Sequence, residues 1–564
     1  MQYLPKLVVP VLIGIVAYFL LKIAQWLHSR LTSSLPLPGP PTPSWLFGHQ
    51  KEIWSNTTSL GEPNSTDGWH EQYGSTFKAG GFFGGYRIYT KDIKAVQHII
   101  RNSDTYHKPP VMRNLLNMIL GDGTGIIVAE GAQHKLQRKI MNPAFGNPQI
   151  RDFTKTFFEQ IYKLRDIWKA QIGTKDVGEV DAVQWLSKAT VDIIGLTGFN
   201  YHLNALNDGQ KNELNEAFGI LFHSGAWDSP WMPLIAALPQ TIQDNIKRIA
   251  LALGLNATMK SSIDCIQRSC RQLLMENKAH LAATGEKDVG LGSRDLLSLL
   301  LKANMSSETP AEERMCDADV MARRFTPNHS SSETFLIVLL EIPTFLIAGN
   351  DTTSLAATWG LLELCLHEDM QIKLREEIFS LPTETPSMDE LNGLPFLDMF
   401  VRETLRLHSP ITIINRVAIQ DDIIPLANPF TDCEGIVHDE IHVRKGQIIS
   451  LTSHQVNTDK SSWGPHAQEF RPNRWLHLPE SVRAIPGSYS NMMTFGGGPN
   501  GCVGWRFTSI ELKVFMFVLF RSFHFELAVP KDELLVLRMA SIWQRPSLKV
   551  EPLQTRLPLV IRSL

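Results

Sequence analysis

Phe495-Gly496-Gly497-Gly498-Pro499-Asn500-Gly501-Cys502-Val503-Gly504 sets one cysteine among five glycines and a proline. Glycine has no Cβ and tolerates positive φ, so such a loop lets another flat body come close to the backbone. The run after it, Trp505 through Phe520, is rich in apolar residues and holds no Gly or Pro, which predicts a buried helix. Cys502 then stands just before a helix N-terminus, where free N–H groups and the helix dipole favour a thiolate. A thiolate in a tight, glycine-lined loop suits an axial ligand of haem iron. Taken alone, the loop would equally fit an ordinary buried cysteine in a turn. The residues around it decide between the two.

Phe495 lies seven residues before the cysteine, Gly498 four before and Gly504 two after. This spacing resembles the haem-binding signature of the cytochrome P450 family. The resemblance implies Cys502 as the iron ligand of haem b (iron protoporphyrin IX), with Phe495 and Gly498 in the cofactor loop. One position departs from the pattern. The family usually has Arg or His two residues before the cysteine, meeting a haem propionate, and Asn500 stands there. That contact is then weaker or supplied from elsewhere.

The chain has 564 residues, a net charge of −3 and 20% charged residues. Nothing in that balance is a polybasic footprint, so nucleic acid is not an expected partner. Six cysteines are scattered without a CxxC pair, against a zinc site or a disulfide framework and in keeping with a reducing compartment.

Leu7 to Leu21 is apolar throughout, and Ile23 to Leu27 extends it if Lys22 snorkels. No small-residue cleavage site follows, so an uncleaved anchor over residues 1–34, spanning about 7–27, is expected rather than a signal peptide. Lys22 and Arg30 after the span outnumber Lys6 before it, which puts the bulk of the chain in the cytosol. Residues 35–48 contain Leu-Pro-Leu-Pro-Gly-Pro-Pro-Thr-Pro, a stiff extended run. It resembles the hinge of microsomal members, on the endoplasmic reticulum. Residues 49–564 are then the catalytic domain.

Further motifs follow in the family's order. Glu130 to Phe145 reads as a helix start with His134 and Arg138 four apart, on one face. A plain surface face would explain them; the resemblance implies donors to the haem propionates. Val111–Val128 resembles a flexible loop that walls the pocket. Trp185–Phe199 and Asn212–Phe222 read as amphipathic helices, and Gly225–Leu238, rich in Trp and Pro, as an apolar cover or plain core.

Ala348-Gly349-Asn350-Asp351-Thr352-Thr353 lies inside a long apolar segment, where a polar pair needs a reason to be buried. A satisfied core pair is the bland explanation. The resemblance implies oxygen activation instead: Thr352 beside the haem, Asp351 relaying protons from solvent. Just upstream, Asp317–Ala322 would join smoothly to Glu341–Phe345. Between them Arg323–Leu340 carries Pro327 and a serine run that break helical periodicity. This segment reads as retained intron or splice-variant sequence, or as a genuine surface loop. If it is genuine, Phe335–Leu340 must supply the first turns of the oxygen-binding helix.

Glu403 and Arg406 stand three apart on one helix face, and Arg474 follows in Phe-Arg-Pro-Asn-Arg-Trp. A surface salt bridge is one explanation. The resemblance implies a buried structural triad that locks the cysteine loop. Arg416, beyond Pro410, is implied as a further propionate donor, and Lys445-Gly446-Gln447 reads as a hairpin turn.

The whole implies a mainly α protein with a smaller β region, a cytochrome P450 fold preceded by one N-terminal transmembrane helix. Its expected function is monooxygenation of a lipophilic small molecule, with electrons from a separate NADPH-cytochrome P450 reductase and from cytochrome b5. The apolar pocket segments suggest a terpenoid, fatty acid or aromatic substrate, and the motifs around Asn142–Phe145 and Trp185–Thr190 are similar to those of fungal members, often found in secondary metabolism. Two rivals are an O2-independent haem-thiolate isomerase or dehydratase, and an inactive haem or membrane-interaction protein if the 323–340 segment disables the chain.

Overall fold

The computed structural model describes residues 36–120, 125–207, 260–269, 334–539 and 543–564, with a few single positions between 213 and 296. The expected anchor over residues 7–27 and the Gly225–Leu238 cover lie outside them, as does most of the expected Asn212–Phe222 helix, of which residues 213, 216, 217 and 220 are described and helical. Among the described residues no helix is long and apolar enough to cross a membrane.

Eight helices carry the argument: α1 (Ile93–Arg101), α2 (Gly131–Met141), α3 (Asn147–Ile172), α4 (Ala182–Phe199), α5 (Thr334–Leu366), α6 (Glu368–Phe379), α7 (Pro395–Leu407) and α8 (Trp505–Ser522). The last is the run that follows the cysteine loop. From Ile510 to Phe520 every residue of α8 is buried. A helix apolar on all sides must be surrounded, and α8 is. Phe507 meets Phe153 and Phe157 of α3 at ring distances of 6.0 and 4.8 Å, and Phe517 meets Phe158 at 5.9 Å. On the other flank α5 comes so close that a Cβ on Gly360 would lie 3.1 Å from Met516 Cε. Each such aromatic burial contributes roughly 2 kcal/mol.

The α4 helix departs from expectation. Its sequence reads as amphipathic, yet nearly every side is buried, because it is packed between α3 and α5. Its one buried carboxylate, Asp192, accepts the Ala205 and Leu206 N–H groups at 2.7 and 3.0 Å. Val111–Val128 is also not wholly a loop: Pro110–Leu120 is helical. The α5 helix starts at Thr334 and passes through Pro343 without a break. Phe335–Leu340 therefore do form its first turns. Residues 323–333 lie outside the described residues.

Among the described residues fourteen strands, β1 to β14 in chain order, make the smaller β region. One sheet runs β2-β3-β9-β6-β4, with β2 at Thr76–Gly80, β3 at Tyr86–Thr90, β9 at Ile448–Leu451, β6 at Ile414–Ala418 and β4 at Tyr106–His107. A second runs β1-β11-β12-β13 (Ser55–Ser59, Leu534–Met539, Trp543–Leu548, Glu551–Thr555), and a third β10-β14-β5 (Phe523–Leu527, Pro558–Ser563, Val177–Asp181). β7 (Asp422–Thr431) and β8 (Val437–Val443) form a ribbon of two. Lys445-Gly446-Gln447 is thus a turn but not a hairpin. It links β8 to β9, which pairs instead with β3 and β6. The expected hinge is seated on the first sheet: Leu37 is buried, Pro38 O accepts the Lys78 N–H at 2.9 Å, and a Cβ on Gly39 would fall 1.9 Å from Lys78 O.

Candidate active site

The cysteine loop folds on itself. The Cys502 N–H donates to Phe495 O at 2.7 Å and the Gly501 N–H to Gly498 O at 3.1 Å. Gly496 and Gly498 take φ of 64° and 61°, which side chains disfavour. The glycines admit the protein's own atoms as much as any ligand. A Cβ on Gly497 would sit 2.0 Å from Pro486 O, and one on Gly498 2.5 Å from Ile100 of α1.

Burial pushes the Cys502 thiol up, while the Gly504 N–H and the Arg138 charge draw it down. Its side chain nonetheless keeps open surface. A cysteine that keeps open surface yet is desolvated by the protein around it fits the wall of a recess rather than the outer surface. The same sign recurs on α5. Ala348 is exposed and Thr352 half-exposed, one turn apart, while Asn350, Asp351 and Thr353 are buried. Phe145 joins the two places: its ring lies 5.6 Å from Phe345, and its edge 3.9 Å from where a Gly504 Cβ would be.

Arg138 on α2 donates from Nη1 to Gly501 O at 2.7 Å, one residue beyond the unusual Asn500. Burial lowers the Arg138 pKa and Cys502 raises it again. Arg416 on β6 is likewise drawn down by burial and lifted by Glu130. Among the described residues its Nη1 donates only to Asn415 O, at 2.9 Å. His134 is buried; desolvation first, then the charges of Lys108, Arg138 and Arg416, lower its pKa to about 4. It is therefore neutral near pH 7. Among the described residues no carboxylate lies within ion-pair distance of Arg138 or Arg416. Two guanidiniums and a neutral imidazole so grouped fit an anionic ligand from outside the chain. With Cys502 beside them, the residues fit haem and its propionates.

Behind the loop stands the Glu403 cluster. Arg406 binds Glu403 bidentately, Nε–Oε2 at 2.9 Å and Nη2–Oε1 at 2.8 Å, both side chains fully buried. Arg474 Nε adds 2.9 Å to Oε1, and Trp475 Nε1 3.1 Å to Oε2. Arg406 also donates to Asn457 O, Ala467 O and Glu469 O. Two residues that sequence reasoning missed carry this lock to the cysteine. Asn457 accepts the Met493 N–H at 2.7 Å and donates to Thr494 Oγ1 at 2.9 Å. Thr494 in turn donates to Leu405 O and immediately precedes Phe495. No local pattern marks Asn457 or Thr494; only the fold joins them.

On α5, Thr352 Oγ1 donates to Ala348 O at 2.7 Å. Asp351 is not a carboxylate open to solvent: Arg545 Nη2 donates to its Oδ2 at 2.7 Å in the interior. Arg545 is a further residue that the sequence did not mark, since it lies almost two hundred residues downstream on β12. Asn350 accepts from Thr190 Oγ1 at 2.6 Å and so holds α4 against α5.

A helical body carrying a recessed cysteine, with cations grouped for an anionic ligand, defines a haem-thiolate type of protein. Residues 38–551 match the profile of the family described as Cytochrome P450, and the chain belongs to that family. Fungal proteins are among those it is similar to. It is 41% identical over 93% of its length to cytochrome P450 monooxygenase 205 of Postia placenta (92% of that protein), and 40% identical over 97% to monooxygenase 128 of the same fungus (96% of that protein). Ganoderic acid synthetase of Ganoderma lucidum is 31% identical over 87% of the chain and 88% of its own length. The protein is a cytochrome P450 monooxygenase, and proteins of this family use haem.

Proposed function

We propose that this monooxygenase inserts one oxygen atom from O2 into a lipophilic small molecule in fungal secondary metabolism, terpenoids being the favoured class. The carrying observation is Cys502, exposed yet desolvated by the protein around it, beside Arg138, which has no carboxylate within ion-pair distance among the described residues. The substrate class is supported by the apolar segments around α5 and by the synthetase relative, whose name refers to ganoderic acid.

Haem, when bound here, supplies the activation of O2 by two electrons. The protein's residues do the rest. Cys502 would supply the thiolate that holds the iron; burial pushes its thiol up, and the Gly504 N–H and the Arg138 charge oppose that by favouring the ionised form. Arg138, Arg416 and neutral His134 bind the propionates, the arginines as charges and the histidine as a donor. Phe495 and Gly498 shape the loop. Glu403, Arg406 and Arg474 position it and touch nothing that reacts. Thr352 offers its hydroxyl to the recess, and Asp351 holds the proton that Thr352 passes on. Electrons come from a separate NADPH-cytochrome P450 reductase, with cytochrome b5 as a second donor. Residues 1–34 anchor the chain once in the endoplasmic reticulum membrane, 35–48 form the hinge, and 49–564 work in the cytosol.

Expression with a reductase, followed by product identification, tests the reading. Cys502→Ser abolishes both the thiolate-type reduced CO spectrum and turnover. An unchanged spectrum with full turnover overturns the assignment, and turnover without NADPH overturns monooxygenation.

A further inference from the structure

Asp351 meets a single basic partner, Arg545, with side chains 7% and 1% exposed. An arginine has five N–H donors, and buried ones need acceptors. Nε and Nη1 of Arg545 have none among the described residues. The neighbourhood repeats the deficit. Ser547 lies two residues on and so shares the sheet face of Arg545; its Oγ is buried without a partner. Thr555 pairs with Ser547 across β12 and β13, which puts it on that face too, and its Oγ1 is also buried and unpartnered. Four orphaned polar atoms thus line one face of one hairpin, starting at the Asp351 carboxylate.

The other end of the row lies close beneath the surface. Thr555 is half-buried, residues 552–554 are exposed, and Arg556 and Glu551 pair at the rim at 3.3 Å. Neighbours along one strand face are about 7 Å apart and directly paired residues about 5 Å. Such gaps are close to the span of one bridging water, and buried polar groups of this kind hold ordered water.

We propose that Arg545, Ser547 and Thr555 hold a file of internal water that carries protons from the β13 edge to Asp351. The inference rests on the reading of Asp351 and Thr352 as the proton relay. A proton entering at the rim displaces another at each oxygen in turn. The Thr555 and Ser547 hydroxyls accept one and release one. Asp351 takes a proton on its carboxylate and passes one toward the Thr352 hydroxyl. Only O–H bonds form and break, and the net change is one proton moved inward. Arg545 transfers nothing: it is a positioning residue that orients the carboxylate and donates to the file.

The test uses the full chain with haem and reductase, and the variants Ser547→Ala, Thr555→Val and both together. The double variant should keep its reduced CO spectrum and haem content, yet form about tenfold less product per NADPH. The lost electrons should be recovered as hydrogen peroxide, and the solvent deuterium isotope effect should rise. Ser547→Thr, which keeps the hydroxyl, should behave as wild type. A readout independent of turnover is a high-resolution crystal structure: ordered waters within hydrogen-bond distance of Arg545 Nε, Arg545 Nη1 and Ser547 Oγ are expected. A dry face overturns the proposal. So does wild-type coupling in the double variant while Asp351→Asn is impaired; the relay reading then survives and the route lies elsewhere. Wild-type coupling in Asp351→Asn as well removes the relay itself.

Discussion

Glu403, behind the cysteine loop, accepts five N–H groups: from Arg406 twice, Arg474, Trp475 and the Arg471 backbone. The Asp351 carboxylate, on α5, accepts from Arg545 alone among the described residues, and that arginine leaves two donors unmatched there. Both are buried carboxylate–arginine pairs. A saturated pair fixes geometry, because moving any member breaks several bonds at once. An unsaturated pair leaves room for water and for a carboxylate to exchange partners. The loop side is built to hold still, and the α5 side to let something pass.

The comparison breaks first at Arg406. Arg406→Lys keeps the charge but loses the bidentate fork and the donors to three backbone carbonyls. It should cost about 3–5 kcal/mol and release haem, read by chemical unfolding and by haem content. Near-wild-type stability would mean that the cluster is not a lock. Equal treatment of the other pair should give another result. Asp351→Leu with Arg545→Met removes both charges together, so stability should stay within about 1 kcal/mol of wild type or rise, while coupled turnover is lost. A collapse of stability would show that this pair, too, is structural.

Glu511 on α8 sharpens the contrast by pH. Both its carboxylate oxygens are buried without partners, and burial pushes it well above the usual carboxylate range. The folded chain keeps its proton where the unfolded chain has lost it. Stability from this group is therefore full below the unfolded value, about 4.3, and is lost as pH rises toward the folded value. Relative to Glu511→Gln, the wild type should lose about 1.4 kcal/mol per pH unit across that window, measured by urea unfolding. Identical pH profiles would place a hidden partner there.

His134 should give a slope of opposite sign. Its folded pKa of about 4 lies below the unfolded 6.5, so only the unfolded state gains a proton between them. Haem-free protein should lose stability as pH falls from 6.5 to 4, and His134→Gln should flatten that slope. Haem loading should shrink it as well, because propionates favour the imidazolium. A slope untouched by haem would move the propionates away from His134.

What the sequence disclosed follows from how local each signal is. The α8 helix is legible because sixteen residues without Gly or Pro admit little else. The cysteine loop is legible because its pattern is contiguous. Glu403 and Arg406 share one helix turn, so their pairing is legible too. Asn457, Thr494 and Arg545 are not, since each acts across a long sequence separation with no periodic mark. The same reason explains the Lys445-Gly446 turn. A turn is a local fact, but the partner of the strand after it is not, and β9 takes β3 and β6 rather than β8. For α4, period suggested one wet face, and packing between two helices covered it.

The pairing of β1 with β11 has a consequence for biosynthesis. Ser55 faces Met539 and Ser59 faces Leu535. The ribosome therefore makes one strand about 480 residues before its mate, and at ~5–20 residues per second that is a delay of roughly half a minute or more. Throughout that interval the early strand has a bare edge, open to chaperones or to a neighbouring nascent chain. A stop codon near the 3′ end of the message would therefore harm the start of the polypeptide as surely as its tail.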